Sequence, residues 1–100
     1  MIARVWRGWT TESDADEYEA FLTAELLPDA TADVEGFVDY DVLRRDDGER
    51  VEFVTILRFE SWDAVEGFAG EDYEAAHVPE RAAELLAEYQ DGVDHYDVRA

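Results

Sequence analysis

Hydrophobic and polar residues alternate over several short stretches of the chain, which predicts strands. Residues 2–9 (IARVWRGW) combine branched and aromatic side chains with short alternation and predict the first strand. Residues 36–45 and 50–60 predict two more strands joined by the turn DDGE, where Gly48 can adopt a left-handed conformation. Residues 93–98 (VDHYDV) predict the last strand.

Other stretches follow a helical period. The segment TTESDADEYEAFLTAELL has one apolar face, with Ser13 as its expected N-cap and Pro28 as its expected end. SWDAVEGFAG begins a second helical region capped by Ser61, and EDYEAAH predicts a short helical piece before Pro79. PERAAELLAEYQ then predicts a helix that ends at Gly92.

The resulting order, β-α-β-β-α-β, predicts an α+β fold: a ferredoxin-like antiparallel sheet with helices on one face, in a single domain over residues 1–100. In the third strand Phe53 and Leu57 point one way, while Val54 and Ile56 point the other. A sheet with one face in water should have polar residues on that face. We therefore expect a second copy of the sheet to cover it, in a homodimer.

Charge narrows the range of partners. The chain has 27 acidic and 8 basic residues, a net charge of −19, and no lysine. Such a surface repels phosphate backbones and anionic lipids, so we expect neither a nucleic acid nor a membrane partner. Because the acids are spread along the whole chain, they favour adaptation to the salt-rich cytoplasm of a halophilic microbe over a surface built for one cationic partner.

Several kinds of chemistry lack the residues they need. Cysteine is absent, which excludes disulfides and thiolate catalysis. No ligand set has a recognisable metal-binding spacing, and there is no glycine-rich phosphate loop or nucleophile elbow. The chain also lacks a secretory signal and an apolar run long enough to span a bilayer, so we expect a cytoplasmic protein.

Over nearly its full length the chain resembles the antibiotic biosynthesis monooxygenase-like (ABM) proteins of the dimeric α+β barrel superfamily. The resemblance lies in MIARVWRG, VEGF, EFVTILRFESWDAVEGFAGED and HYDV. It implies a homodimer whose paired sheets form a barrel, with an apolar pocket between each sheet and its helices. The activities it implies include cofactor-independent oxidation of polycyclic phenols and quinols, haem degradation and stress-response roles.

The haem-degrading branch uses an asparagine on the first strand, then a tryptophan and a histidine in the second helical region. In this chain Trp6 stands at the asparagine position, and Gly67 or Phe68 stands at the tryptophan position. Only the histidine segment, AAH at 75–77, matches. The residues therefore argue against haem degradation. The oxygenases, which need neither a metal nor a cofactor, use an arginine, tryptophan, tyrosine or histidine around an apolar pocket, a pattern too general to identify them by itself.

His77 is the candidate catalytic base. A neutral histidine beside Glu74 can accept a phenol proton, although His77 can equally be a polar residue at a helix end. Arg4 and Trp6 share a face of the first strand. If that face lines the pocket, Arg4 can bind a phenolate and Trp6 can stack on an aromatic ring. The alternative is that Trp6 is a core residue and Arg4 forms an ion pair with one of the many acids. The remaining candidates for the pocket lining are Tyr40, Phe68 and Tyr73, which can also be ordinary core residues.

The leading hypothesis is therefore a monooxygenase that binds a small aromatic quinol or phenol. The competing hypothesis is a non-catalytic binding or stress-response dimer on the same scaffold, and haem binding through His77 is a third. His95, between Asp94 and Asp97, is interpreted as an edge or interface residue.

Overall fold

The computed structural model describes residues 1–100 as a five-stranded antiparallel sheet with helices packed on one face. The strands are β1 (Ile2–Thr11), β2 (Phe37–Asp47), β3 (Arg50–Phe59), β4 (Leu86–Tyr89) and β5 (Asp94–Asp97). The helices are α1 (Ala15–Phe21), α2 (Leu27–Thr31), α3 (Trp62–Ala69) and α4 (Glu80–Leu85). The predicted α+β class and ferredoxin-like arrangement are confirmed, with β4 as an additional strand. None of the helices combines the length and the apolar character needed to cross a membrane.

β1 lies inside the sheet and organises its register. On one side it pairs along its full length with β3, which in turn forms a hairpin with β2. The hairpin turn contains Gly48 at φ +71°, as the sequence predicts. On the other side β1 pairs with two short strands, β5 beside Ile2–Val5 and β4 beside Gly8–Thr10.

The first helical region departs from the prediction at both ends. Ser13 does not cap it: Asp14 precedes α1, no side chain caps that end, and the Ser13 hydroxyl contacts that of Thr11. Pro28 does not end it: the chain stays helical through a π turn, and proline lies in the first turn of α2, directly after that irregular turn. Between α1 and α2 the chain forms a π-helical turn over Leu22–Leu26, in which the N–H of Leu27 donates to the carbonyl of Leu22.

The region after α3 also differs from the prediction. Ser61 caps α3 as expected, by accepting from the N–H of Ala64. The predicted helix over EDYEAAH does not form; Ala75 instead makes a β-bridge with Gly92. The predicted helix over PERAAELLAEYQ ends at Leu85, and the next four residues become β4. Pairing with the open edge of β1 outweighs the helix propensity of this segment, because a strand there supplies partners for backbone groups of β1.

The core lies between the inner face of the sheet and the helices. Phe53 and Phe59 on β3 are fully buried, and Tyr18 of α1 packs edge-on against Phe53 with ring centroids 4.9 Å apart. The opposite face of the sheet, here called the open face, has an apolar centre although no helix covers it. Its apolar members are Ala3, Val5, Trp9, Leu43, Val54, Ile56 and Tyr96.

Candidate functional site

A cavity of about 140 Å³ lies between the inner face of the sheet and the helices. Twelve of its sixteen lining residues are hydrophobic. The sheet, the helical region from α1 to α2, and the segment before α4 all contribute walls. Among the lining residues only His77 and Pro79 are exposed, so the mouth of the cavity lies at this segment.

Arg4 is the charged side chain buried in the cavity wall, with only 8% of its surface exposed. Its Nη1 donates to the carbonyl of Tyr73 at 2.6 Å and to Nε2 of His95 at 3.2 Å. The guanidinium carbon lies 5.6 Å from the centroid of the Phe68 ring, a cation–π contact. Burial lowers the pKa of Arg4, but a guanidinium in a protein stays protonated, so the cavity wall carries a positive charge.

No carboxylate pairs with this charge. The arginines that do form ion pairs lie at the surface: Arg44, Arg45, Arg50, Arg58 and Arg81. Arg4 has only a backbone carbonyl and an imidazole as acceptors, and its Nε and Nη2 donate to no protein group. In a chain with 27 acidic residues, the most buried arginine is thus left without a counterion.

His95 is a site residue that the sequence interpretation missed. It faces Arg4 because β5 pairs with β1, and its ring packs against Trp62 and Tyr73 with centroids 5.4 and 5.5 Å away. Because arginine can only donate, Nε2 of His95 accepts and the proton of the neutral ring resides on Nδ1. Desolvation and then the charge of Arg4 lower the pKa of His95, against opposing contributions from nearby carboxylates. The neutral form therefore serves as an uncharged support for Arg4.

His77 lies at the mouth of the cavity without a hydrogen bond or ion pair to any protein group. The helix over EDYEAAH that was expected to place Glu74 beside it does not form. His77 reaches the cavity because the irregular segment before α4 runs past the opening.

The structure brings together four of the six predicted site residues. Trp6 and Phe68 line the cavity with Arg4 and His77, and Trp6 is held by a hydrogen bond from its Nε1 to the carbonyl of Gln90. The other two residues lie outside the lining. Tyr40 packs against Phe37 on the inner face of β2. The Tyr73 ring packs against Trp62 and His95, and only its carbonyl contacts the site, through Arg4.

Metal-binding side chains do not gather anywhere in the chain: no group of three or more histidine, aspartate or glutamate residues is placed to hold an ion. The polar groups of the site are the side chains of Arg4, His95 and His77, together with the buried Thr55 in the cavity lining.

Solved structures share this architecture. The chain is similar to Rv0793 from Mycobacterium tuberculosis, with a TM-score of 0.66, 22% identity, and coverage of 99% of this chain and 95% of that one. A candidate antibiotic biosynthesis monooxygenase from Bacillus cereus gives 0.65 and 20%, covering 99% and 93%. A variant of MhuD with two manganese protoporphyrin IX molecules per active site gives 0.62 and 21%, covering 98% and 94%. Neither a protein-family model nor a curated protein sequence matches the chain. Similarity at this level of identity establishes the fold.

Proposed function

We propose that this protein is an ABM-like, cofactor-independent monooxygenase that oxidises a small aromatic quinol or phenol inside the cavity. The observation that carries the proposal is the pairing of two groups in one mostly apolar cavity: a buried arginine without a counterion, and a histidine at the mouth with no protein partner. An apolar cavity with a few convergent polar groups is the usual form of a small-molecule site.

The proposed reaction needs only oxygen and the substrate. His77 accepts a hydroxyl proton from the quinol, and Arg4 stabilises the resulting oxyanion. The electron-rich ring carbon forms a C–O bond with O₂, giving a hydroperoxide. Loss of the remaining proton from that carbon breaks the O–O bond and forms a carbonyl, with water as the second product. The overall balance is quinol plus O₂ to hydroxyquinone plus water, and the four electrons that reduce O₂ come from the substrate.

The size of the cavity argues against a porphyrin as the ligand. An apolar cavity of about 150 Å³ holds one benzene ring, and the cavity here is of that size, whereas a porphyrin contains four pyrrole rings. Of the lining residues on α1, the turn after it, α2 and α4, four are buried core residues: Tyr18, Leu22, Leu27 and Ala82. Leu26 and Ala30 are partly buried. This favours the oxygenase over haem degradation.

Oxygen uptake tests the proposal. We expect enzyme-dependent uptake with a panel of one-ring quinols, above the rate of their spontaneous oxidation, and a loss of about 10²-fold or more in His77→Gln. Glu80→Gln, an exposed substitution three residues away outside the lining, is the matched control and should leave uptake unchanged. Uptake that never exceeds the enzyme-free controls would favour the non-catalytic binding dimer. Uptake that survives His77→Gln would keep the oxygenase and remove His77 as its base.

The open face supports the proposal of a homodimer. Leu43 and Tyr96 are 49% and 55% exposed there, around a centre formed by Val5 and Ile56, which are opposite each other in the β1–β3 register. Ion pairs from Arg58 to Asp39 and Asp41 lie on the same face. A second copy of the chain would bury this centre. Sedimentation velocity should find a dimer for the wild type and a monomer for Ile56→Glu. Ala83→Glu, on the exposed side of α4, is the control and should remain a dimer. A dimer in all three proteins would show that the interface is not on the open face.

The acidic surface supports a further proposal, that the protein works in a salt-rich cytoplasm. Five arginines use ion pairs at the surface, but most of the 27 acidic side chains have no basic partner. Their mutual repulsion is screened at high ionic strength.

A further inference from the structure

We propose that the ligand of this cavity is a single aromatic ring that carries an anionic oxygen group, a carboxylate or a phenolate, bound through Arg4. The proposal rests on the proposed function for the location of the site and names the substrate class of that site.

The unsatisfied charge of Arg4 is the first argument. A buried cation is costly unless an anion or several hydrogen bonds compensate it. Nη1 of Arg4 has two uncharged acceptors, the Tyr73 carbonyl and the neutral His95 ring, and these leave Nε and Nη2 free. Together those two groups present the fork that binds a carboxylate through two parallel hydrogen bonds. The site therefore offers two charged donors that no protein group accepts from.

The surroundings of Arg4 indicate that this anion belongs to a ligand. Arg44 binds Asp16 and Glu19, and Arg58 binds Asp39 and Asp41, so the fold readily supplies two carboxylates to a surface arginine. Arg4 forms no such ion pair, and the nearest carboxylate charges, those of Glu74 and Asp94, act on its neighbour His95. The other neighbours of its guanidinium are the Phe68 ring and the hydrophobic lining, which suit the apolar body of a ligand.

The size of the cavity is the second argument. About 140 Å³ matches one benzene ring, for which about 150 Å³ of apolar cavity is enough. Trp6 and Phe68 supply aromatic surfaces to pack against such a ring. A fused three-ring skeleton exceeds this volume. The cavity walls should therefore select ligands with one ring, and Arg4 should select ligands that carry a negative charge.

The net charge of −19 determines the conditions of the test, since it repels any anion from a distance. In about 1 M potassium chloride the Debye length falls to about 3 Å, which removes this repulsion while a buried contact pair is screened much less. Under these conditions a preference for an anion reports on Arg4 itself.

The experiment is a calorimetric titration in about 1 M potassium chloride with three probes: benzoate, its neutral isostere benzamide, and 9-anthracenecarboxylate. We expect benzoate to bind about ten- to a hundredfold more tightly than benzamide, and anthracenecarboxylate to bind at least about tenfold more weakly than benzoate. Arg4→Gln should lose the preference for benzoate and keep the affinity for benzamide. Arg7→Gln is the matched control: it lies on the same strand, on the open face, and should behave as wild type.

Equal affinity for benzoate and benzamide in the wild type would overturn the proposal, and so would an Arg4→Gln protein that keeps the preference. Equal binding of the three-ring acid would overturn the size limit. If Arg4→Gln does not fold, the wild-type ratio of benzoate to benzamide decides alone. The two proposals can fail separately. Charge-selective binding without oxygen uptake would retain the ligand class and remove the oxygenase. Quinol oxidation without charge selectivity would retain the oxygenase and remove the ligand class.

Discussion

Replacing Gly36 with alanine is expected to lower the free energy of unfolding by about 2 to 5 kcal/mol. Two costs add. Gly36 has φ +84°, where a residue with a Cβ loses about 1–2 kcal/mol. The new Cβ would also lie 2.6 Å from the Cβ of Ala64 in α3, whereas carbon atoms pack at about 3.5–4.0 Å. Relieving an overlap of about 1 Å against a buried helix costs a further 1–3 kcal/mol, approximately.

Gly48 provides the control that separates the two costs. It also has a positive φ, +71°, but an added Cβ would meet no atom within 4 Å. Gly48→Ala should therefore lose only about 1–2 kcal/mol. The loop at Gly36 cannot simply move away, because the Gly36 carbonyl accepts from the N–H of Glu60 at 2.8 Å.

Urea unfolding in potassium chloride, at one protein concentration for all variants, measures both losses. The double variant Gly36→Ala/Ala64→Gly should recover the part of the loss that comes from the overlap, as a coupling energy of about 1–3 kcal/mol. Equal losses in Gly36→Ala and Gly48→Ala, with no coupling to Ala64, would refute the close approach of this loop to α3.

Three further predictions concern pH, salt and helix capping. Burial and Arg4 hold the pKa of His95 below its ordinary value, so between those two pKa values the unfolded chain binds more protons than the folded one. The free energy of unfolding should therefore fall as the pH drops through about 6.5. In urea titrations between about pH 8 and pH 5, His95→Gln should make the free energy of unfolding less dependent on pH. With a net charge of −19, the midpoint of thermal unfolding should rise between about 0.1 and 1 M potassium chloride, and a midpoint independent of salt would count against adaptation to salt. Ser61→Ala should cost about 1 kcal/mol by calorimetry, while Ser13→Ala, which removes no cap, should cost clearly less.

Local patterns in the sequence were enough to predict the sheet and its hairpin. Phe53 and Val54 alternate between buried and open faces as predicted, and Gly48 adopts the turn conformation that the DDGE segment requires. These features depend on residues that are close in the chain. The conversion of Leu86–Tyr89 into β4 was missed because the segment has a helical pattern, and only the edge of β1, about eighty residues away, makes it a strand.

The candidate site was partly predictable for the same reason. Arg4 and Trp6 share a strand face, so their presence in one cavity follows from alternation. The contact between Arg4 and His95 spans 91 residues and depends on the register of β5, which no local pattern specifies. His77 was assigned to the pocket on a helix that does not form, and it lines the mouth through an irregular segment instead.

The π-helical turn at Leu22–Leu26 affects how this cavity can change through insertion and deletion. A π turn holds one more residue than an α turn within an otherwise continuous helix, and here Leu22, Leu26 and Leu27 all line the cavity. Losing one residue from this turn would rotate the leucines against each other and reshape the wall, while α1 and α2 remain helical. The strands have no such tolerance, since a shift of one residue in β1 would exchange its two faces and expel Arg4 and Trp6 from the cavity. Changes of ligand size in related chains are therefore expected to arise as length variation in this helix, with the sheet kept at constant length.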